Sequence, residues 1–388
     1  MKTAVVIIAY KRPEALKRLL ASLENAVFEQ ETELVISVDK SDSDEVEQLS
    51  DAYVWPFGSK RVIRHEENLG LRRHILSCGD LLDEYDAIVV LEDDLTVSPQ
   101  FMRFALAAAE FYRDDDSVAG ISLYSYRVNF ANRLPFEPLP GGQDVYMMRI
   151  AMSWGQVWMR RQWNEFREWY SRNSSSFTDD PRLPECIRDW GDNSWLKYHI
   201  RYCVERNKYF VYPYDSYTTN NNERGVHASS GDSLFQSRMD IVGKNEFRFA
   251  HPANSLVRYD AFFEAEFLAP YLGLNPEELC VDLYGLKQGR SDGRYLLTCR
   301  SLPYRVLRSF ALVYRPQEVN VMMQKEGGAI FLYDTSEAAA APEAGARKEY
   351  FSYWYGDSFR QYFRILGRSG GIGHFFREAW RKICKKNK

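Results

Sequence analysis

The strongest constraint on the fold lies in the first 125 residues, where unbroken apolar runs alternate with stretches of helical periodicity. Ala4–Ala9, Leu34–Val38, Ala87–Leu91 and Val118–Leu123 read as buried strands, and Arg61–His65 as a further one. A strand that is apolar at every position is covered on both faces, as strands of parallel sheets are. Between the strands, Pro13 suits a first helical turn and Leu16, Leu19, Leu20 and Leu23 follow at helical spacing. Leu71–Leu82 carries Leu71, Ile75, Leu76 and Leu82 on one helical face. Ser98 can cap a helix that starts at Pro99 and runs through Phe101, Leu106 and Phe111. The pattern predicts an α/β chain with a Rossmann-like, mostly parallel sheet flanked by helices.

After residue 126 the pattern loosens. A loop holds Pro135, Pro138, Pro140, Gly141 and Gly142. Helices are predicted over Arg160–Tyr170 and Asp192–Glu205, and a strand over Phe210–Tyr214. Beyond 255, short apolar segments at Tyr295–Thr298 and Ala329–Tyr333 suggest a smaller C-terminal subdomain, and the Ala/Glu/Pro/Gly-rich stretch from Ser336 reads as a linker. The expected divisions are 1–125, 126–255, 256–335, 336–349 and a C-terminal tail at 350–388.

The 388 residues are 45% apolar and carry a net charge of −4, which argues against disorder and against a global nucleic-acid binder. That small charge conceals an asymmetry. Residues 360–388 hold nine Lys/Arg against Glu378, a local +8, so the preceding residues carry −12. Phe375, Phe376, Trp380 and Ile383 fall on one side of an amphipathic helix, a pattern that suits an anionic membrane surface through residues 368–388. The alternative is a helix docked on the body by the same aromatics. The six cysteines form neither a C-x-x-C pair nor a Cys/His cluster, and read as reduced thiols. The six-residue apolar run near the N-terminus is too short for a signal-peptide core, and no other run is long enough for a membrane span. The expected location is cytoplasmic, peripheral on the cytoplasmic face of the inner membrane.

Open α/β sheets bind ligands at the carboxyl ends of their strands. Tyr10, Lys11 and Arg12 follow the first strand, Asp39 to Asp42 the second, and Glu92-Asp93-Asp94 the strand Ala87–Leu91. Three adjacent carboxylates repel one another, and burying them is costly without a cation. Mg²⁺ or Mn²⁺ takes carboxylate oxygens and completes its shell with phosphates and water, so a metal bridging a diphosphate is one reading. An acidic patch at the approach to a helix is the other. No G-x-x-x-x-G-K-[ST] and no G-x-G-x-x-G follow the first strand, which disfavours a Walker-type ATPase and an NAD(P) dehydrogenase.

The ordered segments VVIIAYKRPEALKRLLASL, ISVDKSD, ENLGLRRHI and IVVLEDDLTVSPQF resemble the inverting glycosyltransferases of the GT-A fold. With Met152-Ser153-Trp154-Gly155, they resemble the N-acetylglucosaminyltransferase I type and bacterial family-2-like enzymes of surface-polysaccharide synthesis. The resemblance covers roughly residues 1–235. It implies that 1–125 is the nucleotide-sugar-binding half and 126–255 the half that binds acceptor and carries the base. Ala9, Tyr10 and Arg12 match the loop that contacts the nucleotide. Asp39 matches the carboxylate that accepts from a uracil N–H, and Asn68, Gly70 and Arg72 match a segment over the nucleotide and donor sugar. Asp94 matches the direct metal ligand and Asp93 a ribose or sugar contact. Asp192 matches the catalytic base, with Asp189 in reserve; as a residue, Asp192 is also a candidate N-cap of the helix that follows. Arg224 and His227 match a loop that closes over the diphosphate, where they would touch the phosphates or the metal. Trp154, Gly155 and Trp195 would line the acceptor side, core packing being the alternative for Trp154. The implied donor is a nucleotide-diphosphate sugar, by preference a UDP-sugar, and the implied acceptor a saccharide or lipid-linked saccharide. The turn after the second strand reads Asp39-Lys40-Ser41-Asp42 where many relatives have two adjacent acidic residues, a departure that bears on base specificity. Rival readings are an inactive GT-A module that binds glycan or scaffolds an assembly, and a sugar-nucleotide nucleotidyltransferase. The latter usually carries a Gly-rich loop where this chain has Ala9-Tyr10-Lys11-Arg12.

Overall fold

The structure, a computed structural model, describes residues 1–221, 233–287, 293–342, 349–350, 352–354 and 373. The chain starts with β1 (Thr3–Ala9), α1 (Pro13–Glu24), β2 (Glu33–Val38), α2 (Glu45–Ala52), β3 (Lys60–Arg64), α3 (Gly70–Gly79) and β4 (Ala87–Glu92). It continues through β5 (Leu95–Val97), α4 (Phe101–Tyr112), β6 (Val118–Ser122), β7 (Val145–Met148), β8 (Gln156–Met159) and α5 (Arg160–Asn173). Then come α6 (Glu185–Arg188), α7 (Leu196–Glu205), β9 (Tyr209–Pro213), β10 (Thr218–Asn220) and β11 (Arg258–Tyr259). The last strands are β12 (Leu279–Asp282), β13 (Tyr295–Thr298), β14 (Tyr304–Phe310) and β15 (Ile330–Ala338).

A nine-stranded sheet runs in the order β11-β7-β9-β6-β8-β4-β1-β2-β3. Its β3-β2-β1-β4 side is wholly parallel, and β8 enters antiparallel between β4 and β6. The unbroken apolar runs have a simple cause. Along β1, Val5, Ile7 and Ala9 join one core while Ala4, Val6 and Ile8 join the other. The first core is closed by Leu16, Leu19, Leu20 and Leu23 of α1 and by Phe101, Phe104 and Ala108 of α4. The second takes Ile75 and Leu76 of α3, Trp163 and Phe166 of α5, and Tyr198 and Ile200 of α7. Each fully buried leucine contributes about 1.5–3 kcal/mol relative to exposure, so α1 is held mainly by its face rather than by its caps.

Several expectations change in detail. The nine-stranded sheet crosses the 125/126 division and recruits β11 from beyond 255, so the first two segments share one sheet. The C-terminal strands form a separate four-stranded sheet, β12-β13-β15-β14, but its Leu297, Ile330 and Leu332 belong to the same core as α5 and α7. β15 runs to Ala338, into the stretch read as a linker. The short strands β7 and β8 and the helix α2 are not signalled by periodicity. Ile75 and Leu76 on α3 and Leu82 just beyond it are buried as the pattern predicts, while Leu71 in the first turn is exposed and His74 is buried. Among the described residues, Cys78, Cys186, Cys203 and Cys299 form no disulfide. Among the described residues no helix is long and apolar enough to cross a membrane. The basic tail lies outside the described residues, apart from Gly373.

Candidate active site

Two backbone hydrogen bonds bring the predicted strand ends together. Asp39 N donates to Ala9 O at 3.0 Å and Asp93 N to Ile8 O at 3.2 Å, so Tyr10, Asp39 and Asp93 leave the sheet at one edge. The buried Asp39 carboxylate accepts from Leu69 N at 2.8 Å, Gly70 N at 3.0 Å and Lys40 N at 3.0 Å. It thereby holds the start of α3, where negative charge is favoured by the helix dipole. Gly70 has φ +72°, a conformation a side chain would strain, and it turns the chain into α3 directly after the two amides that Asp39 holds. Asn68 Nδ2 donates to Lys40 O at 2.8 Å, closing the segment over the β2 turn. The structure therefore brings Asp39, Asn68 and Gly70 together.

At the end of β4, Arg12 bridges two members of the acidic triplet, donating to Asp93 and, at 2.8 Å, to Asp94 Oδ2. The repulsion that the sequence alone would assign to a cation is thus partly met by a guanidinium. Burial pushes the Asp93 carboxyl up to about 6, with Arg12 pulling the other way. The Glu92 carboxyl is pushed up to about 8 by burial and by the charges of Asp94 and Asp93. Asp94 Oδ1 is buried and has no hydrogen-bond partner among the described residues. Among the described residues no group of three or more His, Cys, Asp or Glu side chains could hold a metal ion unaided. One open carboxylate oxygen fits a hard divalent cation that draws its other ligands from a diphosphate and water. The Asp94 carbonyl accepts from Asn221 Nδ2 at 2.9 Å and Asn221 N at 3.2 Å, and β10 pairs with β5 beside it. The sequence reading saw Asn221 only as part of a polar loop, since its contact crosses more than a hundred residues. Arg224 and His227 lie outside the described residues.

The base side is built differently. Helix α7 starts at Leu196 with Trp195 at its N-cap, so Asp192 does not cap it. The Asp192 side chain is 65% exposed. Ser176 Oγ donates to its Oδ1 at 2.5 Å, and Lys197 Nζ stands 3.6 Å from the same oxygen. These contacts, with the more distant charge of Arg72, hold its carboxyl below the usual range. Arg72 lies over the Tyr198 ring at 5.1 Å, so the donor segment at the start of α3 reaches the base loop. Asp189 is exposed at the end of α6.

Of the predicted acceptor residues, Trp154 is partly buried, edge-on to Tyr124 at 4.9 Å and to Phe235 at 5.7 Å. Gly155 has φ +87°, and a Cβ there would meet Thr218 Cγ2 at 2.6 Å, so the glycine is needed for packing. Trp195 is 2% exposed and packs edge-on to the buried Trp158 at 5.5 Å. Trp195 is therefore a core residue, which corrects its assignment to the acceptor side. Its place at the start of an amphipathic helix turns it inward.

Residues 4–170 match the family described as Glycosyl transferase family 2. No curated protein matches the chain. Solved structures that match include S. aureus TarS 1-349 in complex with UDP-GlcNAc, at 15% identity and TM-score 0.38 over 59% of this chain and 61% of that one. The mannosyltransferase PcManGT from Pyrobaculum calidifontis in complex with GDP-Man and Mn²⁺ matches at 13% identity and TM-score 0.35, over 58% of this chain and 59% of that one. GalNAc-T7 with UDP, GalNAc and Mn²⁺ matches at 14% identity and TM-score 0.38, over 60% of this chain and 47% of that one. The chain thus spans about three fifths of the TarS 1-349 structure. Together, the largely parallel sheet, the acids at its strand ends and the family match over residues 4–170 make this part of the chain similar to the family 2 glycosyltransferases.

Proposed function

We propose that the protein is a metal-dependent, inverting glycosyltransferase that moves a sugar from a UDP-sugar to a saccharide hydroxyl, in lipid-linked form or in a growing polysaccharide. The observation that carries the reading is Asp94 Oδ1, a buried carboxylate oxygen with no partner among the described residues, beside Arg12 at the edge where ligands of open α/β sheets bind. A divalent cation bound there with the diphosphate would supply positive charge for the departing phosphate oxygen. Asp39 and the α3 segment bind the nucleotide, with base specificity set around Asp39. Asp192 takes the proton of the acceptor hydroxyl as its oxygen bonds to the anomeric carbon and the bond to the diphosphate breaks on the opposite face. Asp192 is ionised at neutral pH, as a carboxylate must be to accept a proton. Partly exposed Trp154 offers an apolar ring to the acceptor sugar.

Titration calorimetry with UDP tests the reading. UDP should bind with heat that depends on Mn²⁺, whereas an inactive scaffold gives no metal-dependent heat. Residues 368–388 are proposed to hold the enzyme on anionic lipid at the cytoplasmic face of the inner membrane. Deleting them should abolish flotation with anionic liposomes, and unchanged flotation defeats this part.

A further inference from the structure

Lys197 has no role in the account so far, yet its side chain is 1% exposed. Lysine is almost never fully buried unless paired, because an ammonium loses its hydration there. Here it makes a hydrogen bond to Trp190 O at 2.9 Å and lies 3.6 Å from Asp192 Oδ1. It therefore grips the Trp190–Asn193 loop at its first carbonyl and at its acid. Two rings receive the ammonium, Phe177 at 4.9 Å and Tyr198 at 5.6 Å. From the other side, Ser176 Oγ donates to the same Asp192 Oδ1. Both contacts fall on one oxygen of an otherwise exposed carboxylate.

The geometry points to Lys197 and Ser176 as positioning residues for the base: they fix Oδ1 of Asp192 and the loop that carries it, leaving Oδ2 to take the acceptor proton. This rests on Asp192 being the base. A carboxylate on an unanchored loop would sample many orientations, and catalysis needs the accepting oxygen within hydrogen-bond reach of the hydroxyl. Ser176 supplies a neutral donor and Lys197 a charge with little freedom to move, since its stem is buried. The charged and polar groups facing Asp192 are Ser176, Lys197 and, farther away, Arg72.

Two readouts on the full chain test the pair. The first is carboxyl-¹³C aspartate NMR, with the Asp192 resonance assigned by its absence in Asp192→Asn. Lys197→Met and Ser176→Ala should each move the Asp192 midpoint upward, and Lys197→Arg should return it toward the wild-type value. The second is UDP release from a panel of UDP-sugars with Mn²⁺ and water as acceptor. Lys197→Met should lower kcat roughly 10- to 100-fold and Ser176→Ala about 3- to 10-fold, with KM for the sugar nucleotide unchanged and the acidic limb following the NMR midpoint. Asp192→Asn combined with Lys197→Met should be no slower than Asp192→Asn alone. Ser176 is exposed, so its variant keeps the test open if the lysine variant misfolds. A midpoint that stays put in Ser176→Ala and Lys197→Met, or losses that multiply in the double variant, overturns the positioning role. Asp192→Asn turning over like wild type with the NMR coupling intact overturns the base assignment instead, which separates the two failures.

Discussion

Asp39 is buried and accepts three backbone N–H groups, whereas Asp192 is 65% exposed and is held through one oxygen by a serine and a lysine. On the proposed function, the donor side is set by the sheet and the start of α3, while the proposed base stands on a loop between two helices. A nucleotide bound there would meet groups already ordered by the fold. An acceptor would have to supply part of the desolvation that a base on an open surface lacks. Breaking the donor side should therefore remove binding and turnover together, and breaking the base side should remove turnover alone.

The largest contrast is between Asp94→Ala and Asp192→Asn. Asp94→Ala removes the triplet oxygen that is buried without a partner among the described residues, so metal-dependent UDP binding and transfer should both be lost. Asp192→Asn should lower kcat by about 10² to 10⁴, the usual contribution of a general base, and leave UDP affinity within about twofold. Calorimetry and UDP release on both variants measure this directly. A large loss of UDP affinity in Asp192→Asn would contradict the division of labour.

Arg12→Gln probes the donor side further. It leaves buried Asp93 without its cation, a change worth about 3–5 kcal/mol in a fully buried pair and nearer 2 kcal/mol here, because the Arg12 side chain is partly exposed. The loss should be greatest at pH 8. Asp93 titrates at about 6 in the folded protein, so at pH 5 it is mostly protonated and needs its partner less. Urea unfolding at the two pH values reads the difference, and an equal loss at both would mean that the clamp does not act through Asp93 charge.

The same contrast explains what was legible in the sequence. The strands with continuous apolar runs, β1, β2, β4 and β6, were readable because both faces are covered, and their ends carry the donor-side acids in plain order. Asp39 and Asp94 follow from that logic plus resemblance. The Arg12 clamp did not, because it joins residues about eighty apart, and no local pattern records a tertiary ion pair. Lys197 looked like an ordinary residue of an amphipathic helix, since only burial and the Trp190 carbonyl distinguish it. Trp195 misled for the opposite reason. A tryptophan next to an acidic segment suggests a sugar platform, but whether its face points out or in depends on helix phase, and here it points in.

Two buried histidines give the finest comparison between the sides. His74, on α3, pairs with Ser37 Oγ at 2.8 Å and is pushed down to about 4 by burial, with the nearby Asp39 charge pulling it back up. His199, on α7, is stacked on Phe166 at 4.2 Å, has no hydrogen-bond partner among the described residues for either ring nitrogen, and is pushed down to about 3 by burial alone. In the unfolded chain both titrate near 6.5, so below that pH the unfolded state binds protons that the folded state refuses. Stability is complete above about pH 6.5 and falls by about 1.4 kcal/mol per unit for each histidine as pH drops toward the folded values. His199→Phe should remove its share of this loss and should also raise stability at pH 7.5 by about 1 kcal/mol, because two unpaired polar atoms leave the core. His74→Phe should remove acid sensitivity as well, but lower stability at pH 7.5 because Ser37 loses a partner beside Asp39. Urea melts at pH 7.5 and 5.5 distinguish the two. If His199→Phe loses as much stability on acidification as wild type, the α7 histidine is not the neutral core group that the base side is built around.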